Sequence, residues 1–241
     1  MKKLTIALII ILSLVPKQSQ AQNNGAAVAA VAGGLLAIGA GIAAVEDMKE
    51  RAELTATQYV LANHPELNSF SLKTLDFNGK KTKDMSATSV ISFKIQEFSP
   101  SDNPKLDGKK LVLLAFTSYG WISDQGIDFN KVQWYLIDST EWMNMMIAYA
   151  KVASKEKSDA VLKDALANGV VVNKGIKAKG KSEIPFFKLE GDMYLVTDYS
   201  SEMKLIYNEK TLGIFLKKTR NLVQMGRAAV IDTHEFLFQQ N

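Results

Sequence analysis

The feature that most constrains this chain is an apolar stretch of 21 residues, from Gly25 to Val45, which holds no polar side chain. When this stretch is placed on an α-helix, its branched side chains recur at steps of three or four residues and fall on one face. This face, called the ridge below, consists of Val28, Val31, Leu35, Ile38, Ile42 and Val45. The opposite face holds only glycine and alanine. The predicted helix is therefore sorted by side-chain size rather than by polarity.

Small residues recur at every fourth position of the opposite face. These positions, called the small-residue face below, are Ala29, Gly33, Ala37 and Gly41. Such spacing lets two helix backbones approach closely, and it resembles the glycine-zipper segments of envelope proteins. Five glycines each cost a helix about 1 kcal/mol relative to alanine, so we expect the helix to need a packing partner or a membrane. The predicted partners are an envelope complex, a membrane or further copies of this chain.

Residues 1–21 have the three parts of a secretory signal peptide. Two lysines precede an apolar run from Leu4 to Val15, and a polar stretch with small residues at its end follows. The mature chain is therefore expected to begin at Gln22. An uncleaved anchor is the alternative, although a run of about 12 apolar residues is short for a membrane span. We expect an exported protein that is periplasmic, associated with the outer membrane or secreted.

The composition excludes several classes of site. The chain has no cysteine, which excludes disulfides, zinc–thiolate sites, thiol catalysis and a lipid-anchored cleavage site. The signal peptide removes three of the 29 basic residues and none of the 25 acidic ones, so the mature chain is nearly neutral. This balance predicts no nucleic-acid partner. The sequence also has no glycine-rich phosphate loop, and we predict no cofactor and no metal.

Helical character continues beyond the apolar stretch. One apolar face is formed by Met48, Ala52, Ala56, Tyr59 and Val60. Pro65 ends the predicted helix near residue 63 or 64, because the residue before a proline disfavours helical geometry. The predicted organisation is a signal peptide (1–21), an apolar helix that continues into an amphipathic helix (22–65) and a globular domain (66–241).

From residue 68 the hydrophobic period changes from helical to alternating. Strands are predicted around residues 70–77, 91–95, 111–116, 132–137, 170–172, 185–189, 193–197, 203–207 and 212–216. Asp138 is a predicted N-cap for an amphipathic helix, and a second helix is predicted from about Lys155 to Asn168, with Gly169 as its C′ residue. The tail from Leu222 to Phe238 is predicted to be helical. Strands before and after a helical pair predict an α+β fold with a mainly antiparallel sheet, preceded by the long Gly/Ala-rich helix.

Two residues near the C-terminus are the candidates for catalysis if the protein is an enzyme. Asp232 and His234 would share one face of a strand, as an orienting carboxylate and a base, and Ser200 or Ser201 would be the nucleophile. No nucleophile-elbow motif surrounds either serine. We therefore favour a non-enzymatic role and keep Asp232 and His234 as the residues of an alternative hydrolase.

Three further patterns each have a structural and a functional interpretation. Residues 124–130 alternate oxygen-bearing side chains as calcium loops do, but Tyr135 stands where an EF-hand needs glutamate, which favours a turn. The aromatic group Trp121, Trp134, Tyr135 and Trp142 is interpreted as core, with a carbohydrate or peptide platform as the alternative. A group of lysines is interpreted as a solvated loop, with contact to anionic lipid headgroups as the alternative. These lysines are Lys174, Lys177, Lys179 and Lys181.

The sequence thus favours an exported, non-enzymatic protein of the cell envelope. In this hypothesis the Gly/Ala helix docks into a membrane or partner complex, and the α+β domain is an interaction module. One alternative is a secreted, membrane-active protein that self-assembles through the small-residue face. The other alternative is an exported hydrolase.

Overall fold

The computed structural model describes residues 38–75, 90–101, 104–118, 121–123, 126–186, 195–207 and 211–238. Four α-helices are found in these ranges. They are α1 (Ile38–Asn63), α2 (Ser139–Ala153), α3 (Asp159–Asn168) and α4 (Arg227–Phe238). Side chains of α1 are described from Glu46 onward.

The described strands form antiparallel sheets. The first sheet has the order β1-β2-β3-β6 and contains β1 (Phe70–Thr74), β2 (Val90–Glu97), β3 (Lys110–Thr117) and β6 (Val132–Ile137). Between β3 and β6 lies a short pair, β4 (Ile122–Ser123) and β5 (Gly126–Ile127). A three-stranded sheet follows α3, with β7 (Val170–Val172), β8 (Gly175–Ala178) and β9 (Lys181–Pro185). The second large sheet consists of β10 (Leu195–Asp198), β11 (Met203–Tyr207), β12 (Thr211–Leu216) and β13 (Asn221–Gly226).

The first sheet is buried on both faces, which is why β3 is apolar at successive positions. One face packs against α1, whose Met48, Ala52, Ala56 and Val60 are almost fully buried. The strands of the sheet contribute Leu72, Ile91, Phe93, Ile95, Leu111, Leu113, Ala115 and Val132 to this core, and Leu67 and Trp121 join it from outside the sheet. The spacing of the four helix residues is that of one helical face, as the sequence predicted.

The other face of the first sheet belongs to a larger core. The buried side chains of α2, α3 and α4 meet it there, together with the inward face of the second sheet. Alternation within β11 shows the inward face plainly, since Met203, Leu205 and Tyr207 are buried while the two residues between them are half-buried. The described chain therefore consists of layers on both sides of one central sheet.

The α+β class with antiparallel sheets is confirmed for the described residues. Predicted strands at 91–95, 111–116, 132–137, 203–207 and 212–216 are present, and α1 ends at Asn63, before Pro65. The predicted Gly/Ala-rich helix lies mostly outside the described residues. Its last positions, from Ile38 to Val45, are helical because they form the first two turns of α1.

Packing joins the amphipathic half of α1 to the sheet. The predicted limit between helix and domain at residue 65 coincides with the change from helix to strand, but the described core continues across it. Residues on both sides of Pro65, such as Val60 and Leu72, belong to one hydrophobic cluster. In packing, the domain therefore extends back at least to Met48.

Three local predictions are wrong. The tail is not helical from Leu222, because residues 221–226 pair with β12 and complete the second sheet, with Val223 and Met225 facing inward. The second helix begins at Asp159 rather than near Lys155, after Ser158 as N-cap. The lysine-rich segment is not a loop but includes β8 and β9, whose register pairs Ile176 with Ile184.

The glycine after α3 has a role that differs from the usual C′ glycine. Gly169 does follow the last helical residue, but its φ of −105° is extended rather than left-handed. A Cβ at this position would lie 2.5 Å from the carbonyl oxygen of Ala165 and 2.7 Å from Cγ2 of Ile176. Glycine is therefore required because β8 approaches the end of α3 closely.

Candidate functional site

The predicted docking faces lie at the N-terminal end of α1. Ala29, Gly33 and Ala37 of the small-residue face lie outside the described residues, as do Val28, Val31 and Leu35 of the ridge. Gly41, Ile38, Ile42 and Val45 belong to the helical backbone of α1. The structure also shows how the following turns of α1 are attached to the first sheet.

Glu53 is the polar contact between α1 and the sheet. Its Oε1 accepts hydrogen bonds from the backbone N–H and from the hydroxyl of Thr74, both at 2.8 Å. Its Oε2 lies 3.4 Å from Nζ of Lys73. Because β1 is the edge strand of the described sheet, no described strand lies on the outer side of the Thr74 N–H, and the carboxylate takes that place.

The electrostatics of Glu53 agree with this geometry. Only 14% of its side chain is exposed, and this burial by itself disfavours the charged form. The hydrogen bonds from Thr74 and the charge of Lys73 outweigh burial and hold the pKa of Glu53 below its ordinary value. The ionised carboxylate therefore stabilises the docked helix. Sequence reasoning missed this contact, because it joins residues 21 positions apart and leaves no local motif.

An aromatic pair also joins α1 to the first sheet, near the end of the helix. The rings of Tyr59 and Trp134 stack with centroids 4.9 Å apart and an interplanar angle of 19°. Trp121 and Trp142 are buried in the separate cores on the two faces of the first sheet. Tyr135 is partly buried against the larger core and also lines a groove described below. The predicted aromatic group is therefore not one platform.

The structure places Asp232 and His234 on α4, not on a strand. Residues two apart on a helix point about 160° away from each other, so the two side chains do not share a face. His234 is 2% exposed. Its Nε2–H donates to the carbonyl oxygen of Leu166 at 3.0 Å, and its Nδ1 accepts from Nε1–H of Trp142 at 3.3 Å.

These two partners fix the state of the ring. A carbonyl only accepts and an indole N–H only donates, so the neutral tautomer with a proton on Nε2 satisfies both nitrogens. Burial lowers the pKa of His234, and the bond to Leu166 offsets this effect in part. His234 thus joins α2, α3 and α4 inside the core, with both ring nitrogens engaged. Ser200, one of the two candidate nucleophiles, accepts from the N–H groups of Glu202 and Met203 and so stabilises the turn before β11.

An open groove of about 520 Å³ lies where β6 meets α2. Its lining includes Lys109, Tyr135, Asp138 and Glu141. Asp138 is the predicted N-cap and accepts from the N–H groups of Thr140 and Glu141 at 2.9 and 3.0 Å. Asp138 therefore has its partners within the fold, which gives it a structural role at the groove.

A tyrosine extends the polar network of this groove. The hydroxyl of Tyr199 donates to Oε1 of Glu141 at 3.0 Å. Burial, together with this bond and the charge of Glu141, raises the pKa of Tyr199 above its usual range. Burial and the charges of Glu141 and Glu202 likewise raise the pKa of Tyr135. Both phenols are therefore protonated at neutral pH.

The remaining predicted patterns have structural explanations where they are described. Asp128 of the possible calcium loop caps a short 3₁₀ helix, Phe129–Lys131, by accepting from the N–H of Asn130. In the described ranges, no three acidic or histidine side chains gather in a way that would hold a metal ion. Among the same residues, no helix is long and apolar enough to cross a membrane.

Comparisons with known proteins give no relative for this chain. No protein-family model, no curated protein and no solved structure matches it.

Proposed function

We propose that the protein is an exported, non-enzymatic component of the cell envelope. Its small-residue helix docks into a membrane or a partner complex, and its α+β domain is the interaction module that this helix holds in place. The observation that carries the proposal is the continuity of α1, which runs unbroken from Ile38, inside the apolar stretch, through Met48 and Val60 in the core of the domain.

Continuity of the helix matters because helix formation has a costly first turn. The half of α1 from Met48 to Val60 is held by burial against the first sheet and by the bonds from Thr74 to Glu53. An apolar segment attached to it needs no nucleus of its own, and each further residue adds only the cost or gain of propagation. The glycines still oppose helix formation, so a partner along the small-residue face would complete the helix.

The two alternative functions require different residues. Self-assembly through the small-residue face uses the same helix and differs only in the identity of the partner. The hydrolase needs a nitrogen of His234 that can reach a substrate, whereas both nitrogens are bonded to Trp142 and Leu166 in the core. The geometry therefore favours the two hypotheses in which the apolar helix is the functional element.

Fractionation of cells that produce the full chain tests the proposal. A deletion of residues 25–45 leaves Met48 and the rest of the core in place, so the domain is expected to stay folded and to move to the soluble fraction. Unchanged fractionation of this deletion would reject docking through the helix. Leakage of dye from liposomes, induced by the intact protein, would instead support the membrane-active alternative.

Two single substitutions distinguish close packing from simple hydrophobicity. Gly33→Leu makes the segment more apolar but blocks the small-residue face, whereas Leu35→Ala makes it less apolar and leaves that face open. If the helix docks by backbone approach, Gly33→Leu releases the protein and Leu35→Ala has the smaller effect. If hydrophobicity alone retains it, the order is reversed.

A further inference from the structure

The β8–β9 hairpin ends in a two-residue turn, Lys179–Gly180. Ala178 pairs with Lys181 across the hairpin, and the turn residues have φ of 51° and 77°. Two successive positive φ values are the geometry of a type I′ turn. A Cβ built on Gly180 would meet no atom within 4 Å. The end of the hairpin therefore projects away from the described fold.

Lysine is an uncommon residue at the first position of such a turn. Its Cβ is crowded in the left-handed region, where glycine, asparagine and aspartate are the usual residues. Lys179 is exposed, and no hydrogen bond or ion pair joins its side chain to the described residues. Within the described fold, no contact of the Lys179 side chain offsets the strain of its backbone conformation. A lysine in a left-handed conformation, without a contact in the described fold, points to a role for its charge.

Two more lysines flank the turn. Lys177, Lys179 and Lys181, called the lysine tip below, are all exposed, and none has a carboxylate partner among the described residues. Some lysines elsewhere in the fold do form ion pairs, for example Lys131 with Asp128 and Lys204 with Asp198. The lysine tip therefore keeps its charge uncompensated.

No acidic side chain among the described residues forms an ion pair with the lysine tip. Glu183 is the acid on the hairpin itself, and it is exposed. On α3, which packs against β8, Asp159 pairs with Lys151 and Asp164 accepts from the side-chain amide of Asn168. Three positive charges against one negative charge give the projecting turn a net positive field, although the mature chain as a whole is nearly neutral.

We propose that the lysine tip binds the anionic surface of a lipid membrane. Lysine carries a compact charge on a long flexible stem, which suits a fluid layer of headgroups better than a fixed bidentate ligand would. The hairpin has no aromatic side chain between Gly175 and Pro185, so it offers no ring on which a nucleic-acid base could stack. Each lysine near an anionic bilayer strengthens binding by about fivefold.

The proposal concerns a surface other than the apolar helix. Docking of residues 25–45 is driven by apolar contacts and is insensitive to headgroup charge, whereas attraction of the lysine tip weakens as salt shortens the screening length. Binding through the two surfaces can therefore be separated by lipid charge and by ionic strength, even in the full chain.

Sedimentation of the purified full chain with lipid vesicles tests the proposal. Vesicles of phosphatidylcholine alone are compared with vesicles in which about one third of the lipid is phosphatidylglycerol. The triple variant Lys177→Gln, Lys179→Gln, Lys181→Gln is expected to bind the anionic vesicles about 100-fold more weakly than the native chain. The matched control removes three exposed lysines elsewhere and is expected to bind within a few-fold of the native chain. These control changes are Lys94→Gln, Lys105→Gln and Lys218→Gln.

A single substitution keeps the test independent of folding. Lys179→Asn removes the charge but retains a residue that tolerates the left-handed turn, so the hairpin stays folded and binding to anionic vesicles falls about fivefold. Equal binding to neutral and anionic vesicles would overturn the proposal and leave helix docking intact. Equal losses in the triple variant and its control, binding to soluble polyphosphate but not to vesicles, or no vesicle binding at all would also overturn it.

Discussion

Removal of the Glu53 carboxylate should loosen α1 from the first sheet. In Glu53→Ala the N–H of Thr74 loses a charged acceptor at 2.8 Å, and a hydrogen bond to a charged group contributes about 1.5–3 kcal/mol. The Thr74 hydroxyl can turn toward water, and Lys73 is 65% exposed, so these two contacts together add at most about 1 kcal/mol. We expect the free energy of unfolding to fall by about 3 kcal/mol.

The isosteric change separates charge from shape. Glu53→Gln keeps an acceptor oxygen in the same place but removes the charge, so the expected loss is about 1 kcal/mol. Glu50→Gln is the matched control, because it makes the same charge change at an exposed position of the same helix. Urea unfolding of the native chain and the three variants at pH 7 measures these differences.

The stabilisation that the Glu53 carboxylate provides should decrease as the pH falls. The pKa of Glu53 is lower in the folded protein than in the unfolded chain, so the stabilisation is fully present above the unfolded pKa, near 4.3. It is lost as pH falls through the folded pKa. The difference between the native chain and Glu53→Gln should therefore shrink between pH 5 and pH 3. A difference that stays constant over this range, or that equals the Glu50→Gln effect, would refute the role given to the carboxylate.

Two further predictions concern the cores behind the sheet. His234 is buried as a neutral ring, so the native chain should lose stability as pH falls below about 6.5, where the unfolded chain takes up a proton first. His234→Phe should be about 2 kcal/mol less stable at pH 7 but lack this slope in urea unfolding; a retained slope would contradict the assignment. Gly175→Ala should lower the free energy of unfolding by more than about 2 kcal/mol, because φ is 147° and the added Cβ would lie 2.3 Å from the carbonyl oxygen of Ile184. Gly180→Ala, whose Cβ meets no atom, is its control in thermal unfolding, and equal effects would contradict the steric explanation.

The parts of the fold that follow from local periodicity could be predicted. The face of α1 from Met48 to Val60, the end of this helix before Pro65 and the N-cap at Asp138 each depend on residues a few positions apart. β3 was recognisable because a strand buried on both faces is apolar at successive positions, and β2 because Ile91, Phe93 and Ile95 alternate along it. Each of these signals depends only on residues that are close together in the sequence.

The errors arose where long-range pairing decides the structure. The segment from Asn221 to Gly226 is a strand because β12 lies beside it, and the following residues become helical without a change in composition. The lysine hairpin was missed because its turn is Lys179–Gly180 rather than Asn–Gly, although Val171, Ile176 and Ile184 mark its buried face. The position of His234 in the core could not be predicted from a polar residue on a short terminal helix.

The attachment of α1 limits how a partner can approach the small-residue face. Gly41 precedes Met48 by seven positions, which is about 10 Å along a helix at 1.5 Å per residue. A second helix that packs against Gly41 is itself about 10 Å wide, so it would reach the layer of side chains where α1 meets the first sheet. A partner docked along the whole small-residue face would therefore also contact the domain. Substitutions at exposed positions near this end, such as Glu50, should then weaken docking without affecting folding, whereas a partner that engages only the distal part of the helix would be insensitive to them.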